Sequence, residues 1–174
     1  MKPLKRHPPI VPPSSGGVSA GFRAGLVMAC LFVGREVLEG PGAGYPARLV
    51  AAAWMGEAAF DPGVWPILMG AATHFVISAL LGAVFAALIG RGMRAATALG
   101  AGMMYGIGVW LGMTYFVVPV MDPLMSAFIE TVPFWWLALH LAFGACLMET
   151  PGRRQQGTEE LLPSPESAEP TTFY

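Results

Sequence analysis

Charge is scarce in this chain. Only 12% of its 174 residues are Asp, Glu, Lys or Arg, against about 25% in soluble domains. That is too little polar material to coat a soluble core. With 55% hydrophobic residues and a mean hydropathy of +0.57, the long uncharged runs read as transmembrane helices. The few basic residues form no stripe, which excludes nucleic acid as a partner. Cysteine is nearly missing. Cys30 and Cys146 fall in different apolar runs at different expected depths, so no disulfide is expected and each reads as a small buried hydrophobe. No CxxC or Cys/His cluster supports a zinc site. Carboxylates are absent from the middle of every apolar run, which counts against a small multidrug-type proton exchanger. No nucleophile elbow, phosphate loop or paired catalytic carboxylates are present, so neither enzymatic activity nor a cofactor is expected.

What is there is an alternation of apolar runs and short polar breaks. Residues 1–16, MKPLKRHPPIVPPSSG, are basic and then proline-rich, the composition of an extended, disordered arm. No A-x-A cleavage site follows the next run, so that run reads as an uncleaved first span over 17–34. It carries Arg23, which can snorkel to the near interface. Arg35, Glu36 and Glu39 follow it as a solvated interface cluster. Residues 47–60, ARLVAAAWMGEAAF, are apolar but reach only about 21 Å as a helix, short of a roughly 30 Å core. They read as an interfacial or re-entrant helix. Spans over 64–90 and 95–121 flank the turn RGMR (91–94). DPLMSAFIETVP (122–133) is a short polar loop with a surface turn of helix, and 134–148 is a short fourth span. Residues 149–174 are acidic and proline-rich, a disordered tail.

The basic residues set the expected orientation. Lys2, Lys5, Arg6, Arg91, Arg94, Arg153 and Arg154 all fall on one side of a four-span chain. That side should be the cytoplasm of a bacterial cell, with both termini there and the chain in the inner membrane. A fifth span at 47–60 would put Arg91 and Arg94 outside. With four spans, Trp54, Trp65, Trp135 and Trp136 form an outer aromatic belt. The expected fold is an all-α integral membrane bundle of four helices.

Small residues recur every four positions. Gly70, His74, Ser78, Gly82, Ala86 and Gly90 make one ridge of the second span. Ala98, Gly102 and Gly106 make another, with Gly108 and Gly112 beside it. Gly17, Gly21, Gly25 and Ala29 make a third, and His140 shares a face with Gly144. Such ridges let helix backbones approach closely within a bilayer. They also offer a route to homo-oligomers or to other membrane subunits, alongside the lipid bilayer itself.

His74 and His140 should therefore face protein at similar depth. The plainer reading makes each a neutral histidine bonded to a neighbouring helix, in a structural or accessory protein. The sharper readings are a proton relay in a transport component and axial ligation of a b-type haem. Close-packed ridges argue against the haem by leaving no slot for a porphyrin. Met103, Met104 and Met113 read as packing.

THFVISALLGAVFAAL (73–88), MYGIGVWLGMTYFVVPVM (104–121) and LHLAFGACL (139–147), in this order, resemble a group of short bacterial inner-membrane proteins with four predicted helices. These carry a histidine early in helix two and an HLxFG-type segment in helix four. The resemblance implies the four-span topology and directs notice to His74 and His140. It implies no activity, because such proteins are largely of unknown function.

Overall fold

The computed structural model describes residues 13–89 and 95–148, and among these it is helical with no strand. The helices are α1 (Pro13–Leu38), α2 (Tyr45–Met55), α3 (Trp65–Leu88), α4 (Ala95–Gly112), α5 (Val118–Met121), α6 (Pro123–Thr131) and α7 (Pro133–Cys146). A 3₁₀ turn at Gly56–Phe60 follows α2, and a π-helical turn at Met113–Val117 joins α4 to α5. The expected tail at 149–174, the turn at 91–94, Gly90 and most of the arm lie outside the described residues.

Gly16–Leu38, Trp65–Leu88 and Ala96–Met121 are long and apolar enough to cross a membrane. Helices α6 and α7 pass the same test only as a pair bent by 103°. The apolar windows of α3 and of the Ala96–Met121 segment are only 17% and 11% buried. So much bare apolar surface suits lipid, not water.

Several boundaries differ from the sequence expectation. Helix α1 already begins at Pro13, because proline fits the first turn, where backbone N–H groups have no helical partner. It also runs past Gly34 to Leu38. Beyond it, the N–H groups of Gly40 and Gly42 both bond the Glu36 carbonyl oxygen, and Gly42 takes the positive φ (+114°) that turns the chain. The folded-back loop leaves Glu36 only 1% exposed and ion-paired with Arg35, so the cluster is not wholly solvated as expected. The 122–133 segment is mostly helix, capped by Asp122, whose Oδ1 accepts the Met125 N–H at 2.9 Å. The π turn has a covalent cause nearby. Pro119 lacks an N–H, so the carbonyl four residues earlier loses its α-helical partner and the backbone widens just before it.

The long helices are arranged in the order α3, α1, α7, α4 around a common interior. The ridges make the closest approaches. A Cβ on Gly21 would lie 2.8 Å from the Gly82 Cα, and one on Gly106 would lie 3.3 Å from the Gly144 Cα. Gly70 faces the backbone of α2 at Ala47. Gly108 and Gly112 are different: a Cβ at either position would meet nothing within 4 Å, so this expected ridge is no seam among the described residues. Helices α3 and α4 meet only part way. The Tyr105 hydroxyl donates to the Leu81 carbonyl at 2.8 Å, and its ring packs on Phe85. Beyond that point, towards Trp65, they part. There α2 and α6 cover one end of the interior, and Arg48 bonds the carbonyls of Ala59, Asp61 and Gly63 to hold the α2–α3 connection.

Candidate functional site

His74 belongs to the α3 ridge that packs on α1. Gly25 of α1 has no side chain, so the imidazole reaches the main chain: Nε2 lies 2.9 Å from the Gly25 carbonyl oxygen. A carbonyl only accepts, so Nε2 carries the proton, and in the neutral ring Nδ1 keeps the lone pair. Phe75 packs edge-on to His74 and stacks on Phe22 of α1, which fixes the local rotamers.

His140 sits on α7 and is 3% exposed. Its Nδ1 donates to the carbonyl oxygen of Trp136, one turn earlier, at 2.9 Å. In the neutral ring Nε2 is then the acceptor, and nothing among the described residues hydrogen-bonds it. The Trp136 ring lies edge-on to His140 with centroids 4.5 Å apart. Trp136 donates through Nε1 to the Thr114 hydroxyl in the π turn at 3.0 Å. It is 4% exposed, so it turns inward and does not join an aromatic belt as expected. Trp54 and Trp65 are exposed as that belt requires.

Both histidines line one cavity of about 410 Å³ enclosed by α1, α3, the α4–α5 region and α7. No hydrogen bond joins the two rings, whose partners are the carbonyls of Gly25 and Trp136. Met28 and Phe32 form one apolar wall, Leu81 and Phe143 others. Asp122 and Met125 close the end under α2 and α6. Ile77 and Val117 line the cavity yet are 36% and 45% exposed, so it reaches the bundle surface between the parted halves of α3 and α4. A few polar groups on an apolar wall are the usual chemistry of a small-molecule pocket.

Burial lifts the Asp122 carboxyl above the ordinary range, against the opposing bonds from the N–H groups of Met125, Ala53 and Leu124. Tyr45, near the α1–α2 loop, is raised by burial first and then by the Glu36 charge. Among the described residues no three His, Cys, Asp or Glu side chains group as metal ligands, and Cys30 and Cys146 are not joined by a disulfide.

The residues singled out in the sequence are thus brought to one cavity, but not to each other. The cavity itself, Asp122 and the Trp136–Thr114 bond were not anticipated. Pro119, five residues beyond Thr114, was the available signal. The close-packed ridges do leave a space, because the seams pair α1 with α3 and α4 with α7 and not α3 with α4.

The fold and site define an all-helical protein with three helices long and apolar enough to cross a membrane, or four if the bent pair is one crossing. No protein-family model, curated protein or solved structure matches the chain.

Proposed function

We propose that this is a small, non-enzymatic accessory protein of the bacterial inner membrane that holds a lipophilic molecule inside its bundle. The observation that carries this reading is the shared cavity: histidines from α3 and α7, with α1 between those helices, face one apolar space reaching the bundle surface. Four crossings, with both termini cytoplasmic, are part of the proposal. The basic residues of the N-terminal arm, of the 91–94 turn and of the C-terminal tail support it by falling on one side. The resemblance of the His74 and His140 segments to short four-helix inner-membrane proteins supports the same placement.

A diazirine-bearing aliphatic chain, added to the full-length protein in lipid nanodiscs, tests the reading. Saturable photolabelling that is lost in Ala29→Phe, which projects a ring into the cavity, is expected. Labelling that never saturates, or that ignores Ala29→Phe, would overturn it.

A proton relay is the second reading, favoured by two imidazoles and a carboxyl on one cavity. Proton flux in liposomes that vanishes in a folded His74→Ala variant would establish it. Haem ligation draws less support. The outward nitrogen of His74, Nε2, is engaged by Gly25, and Nδ1 lies beside its own backbone. A Soret band in haem-replete protein would reverse that judgement.

A further inference from the structure

Resting on the cavity-binding reading, we propose that the bound lipophile carries a hydroxyl group and donates it to Nε2 of His140. The reasoning starts from which hydrogens face the cavity. Four lining side chains have N–H groups, and each is already committed: Trp54 to Thr73, His74 to Gly25, Trp136 to Thr114, and His140 to Trp136. The Ser78 hydroxyl is packed into the seam, 2.5 Å from where a Cβ of Gly25 would be. The nitrogen-bound hydrogens of the lining are therefore all spent, and the ring nitrogens left over accept hydrogen bonds and do not donate them; the Ser78 and Thr73 hydroxyls can do either.

His140 offers the best of these acceptors. It is 3% exposed, its ring is held by Trp136 on two counts, and its Nε2 has no partner among the described residues. An unpartnered acceptor on a residue buried against an apolar cavity gains more from a donor brought in by a ligand than one at a wet surface. An ether, ester or ketone of the same shape brings only another lone pair. The apolar walls take the hydrocarbon body, and the exposed edges at Ile77 and Val117 supply an entry from the hydrocarbon layer between α3 and α4. The Tyr105–Leu81 bond ties the two helices together further along.

A matched pair of probes tests this: dodecylphenol and its methyl ether, each used to displace the diazirine label from full-length protein in nanodiscs. The phenol should displace at about tenfold lower concentration, the discrimination one buried hydrogen bond supplies. In His140→Phe the phenol should fall to the level of the ether. Equal displacement by the two probes in the wild type would overturn the hydroxyl assignment and leave the cavity reading standing. A phenol preference that survives in His140→Phe would overturn the role of His140. An absence of any saturable label would overturn both. The wild-type comparison decides the hydroxyl question even where the variant does not fold.

Discussion

Nε2 of His74 lies 2.9 Å from the carbonyl oxygen of Gly25, across the seam between α1 and α3. The contact depends on two residue choices. Glycine leaves the α1 backbone bare, and histidine supplies a donor of the right reach. Removing the donor in His74→Ala should lower stability by about 0.6–2 kcal/mol, the range for one interhelical hydrogen bond in a membrane protein. His74→Gln, which keeps an N–H at the end of a flexible chain, should recover part of it. Reversible unfolding in mixed detergent micelles measures both. Wild-type stability in His74→Ala would show that the bond contributes nothing.

The glycine positions separate into two groups that look identical in the sequence. Gly21→Val must push a side chain into the backbone of Gly82 and should cost about 1–3 kcal/mol or more. Gly108→Val meets open space and should change stability by less than about 0.5 kcal/mol. Thermal unfolding of the two variants side by side checks this. Equal losses would contradict the seam.

Asp122 makes stability depend on pH. Its folded pKa is raised above the usual 3.8 by burial, which outweighs the backbone N–H bonds that lower it. A raised carboxyl favours the folded state when protonated. Its contribution is full below the unfolded value and is lost as pH rises through the folded one. Asp122→Asn keeps a side-chain oxygen for the Met125 N–H but does not titrate. As pH rises above the unfolded value of 3.8, the wild type should therefore lose melting temperature relative to Asp122→Asn. A constant difference between the two would contradict the assignment. Asp122→Ala, which removes the cap, should cost about 1 kcal/mol at low pH and less as pH rises.

Glu36 is buried beside Arg35, and Gly40 packs directly on its carboxylate. Arg35→Met should therefore cost about 2 kcal/mol by leaving a buried charge without its partner. Combining it with Glu36→Gln should return most of that loss. A double variant no better than the single would show that the ion pair is not what stabilises this end of α1.

The helices were legible in the sequence because a lipid-spanning helix needs long uncharged runs, and such runs have few other uses. The small-residue ridges that form the seams were legible because residues at i, i+4 share a face. Which ridge meets which was not. Gly108 and Gly112 have the same spacing as Gly102 and Gly106 and differ only in direction, which depends on where α7 packs. The burial of Glu36 was hidden for a related reason, since it follows from the loop at Gly40 and Gly42 folding back over the helix end. Trp135 and Trp136 are adjacent and chemically alike. Only the packing of α7 against the π turn makes Trp136 the buried support of His140. The cavity was the least legible feature, because it follows from two helices that part beyond Tyr105 and not from any residue pattern.

The most direct test of that cavity is the position of the photolabel along the chain, read by peptide mass spectrometry after saturable labelling in nanodiscs. Adducts on Met113, Val117 and Met125, which line the cavity from separate elements, are the predicted result. Adducts confined to Leu80, Val84 and Leu88, on the exposed face of α3, would mean that the probe only coats the bundle, and the account of a ligand-holding interior would fall.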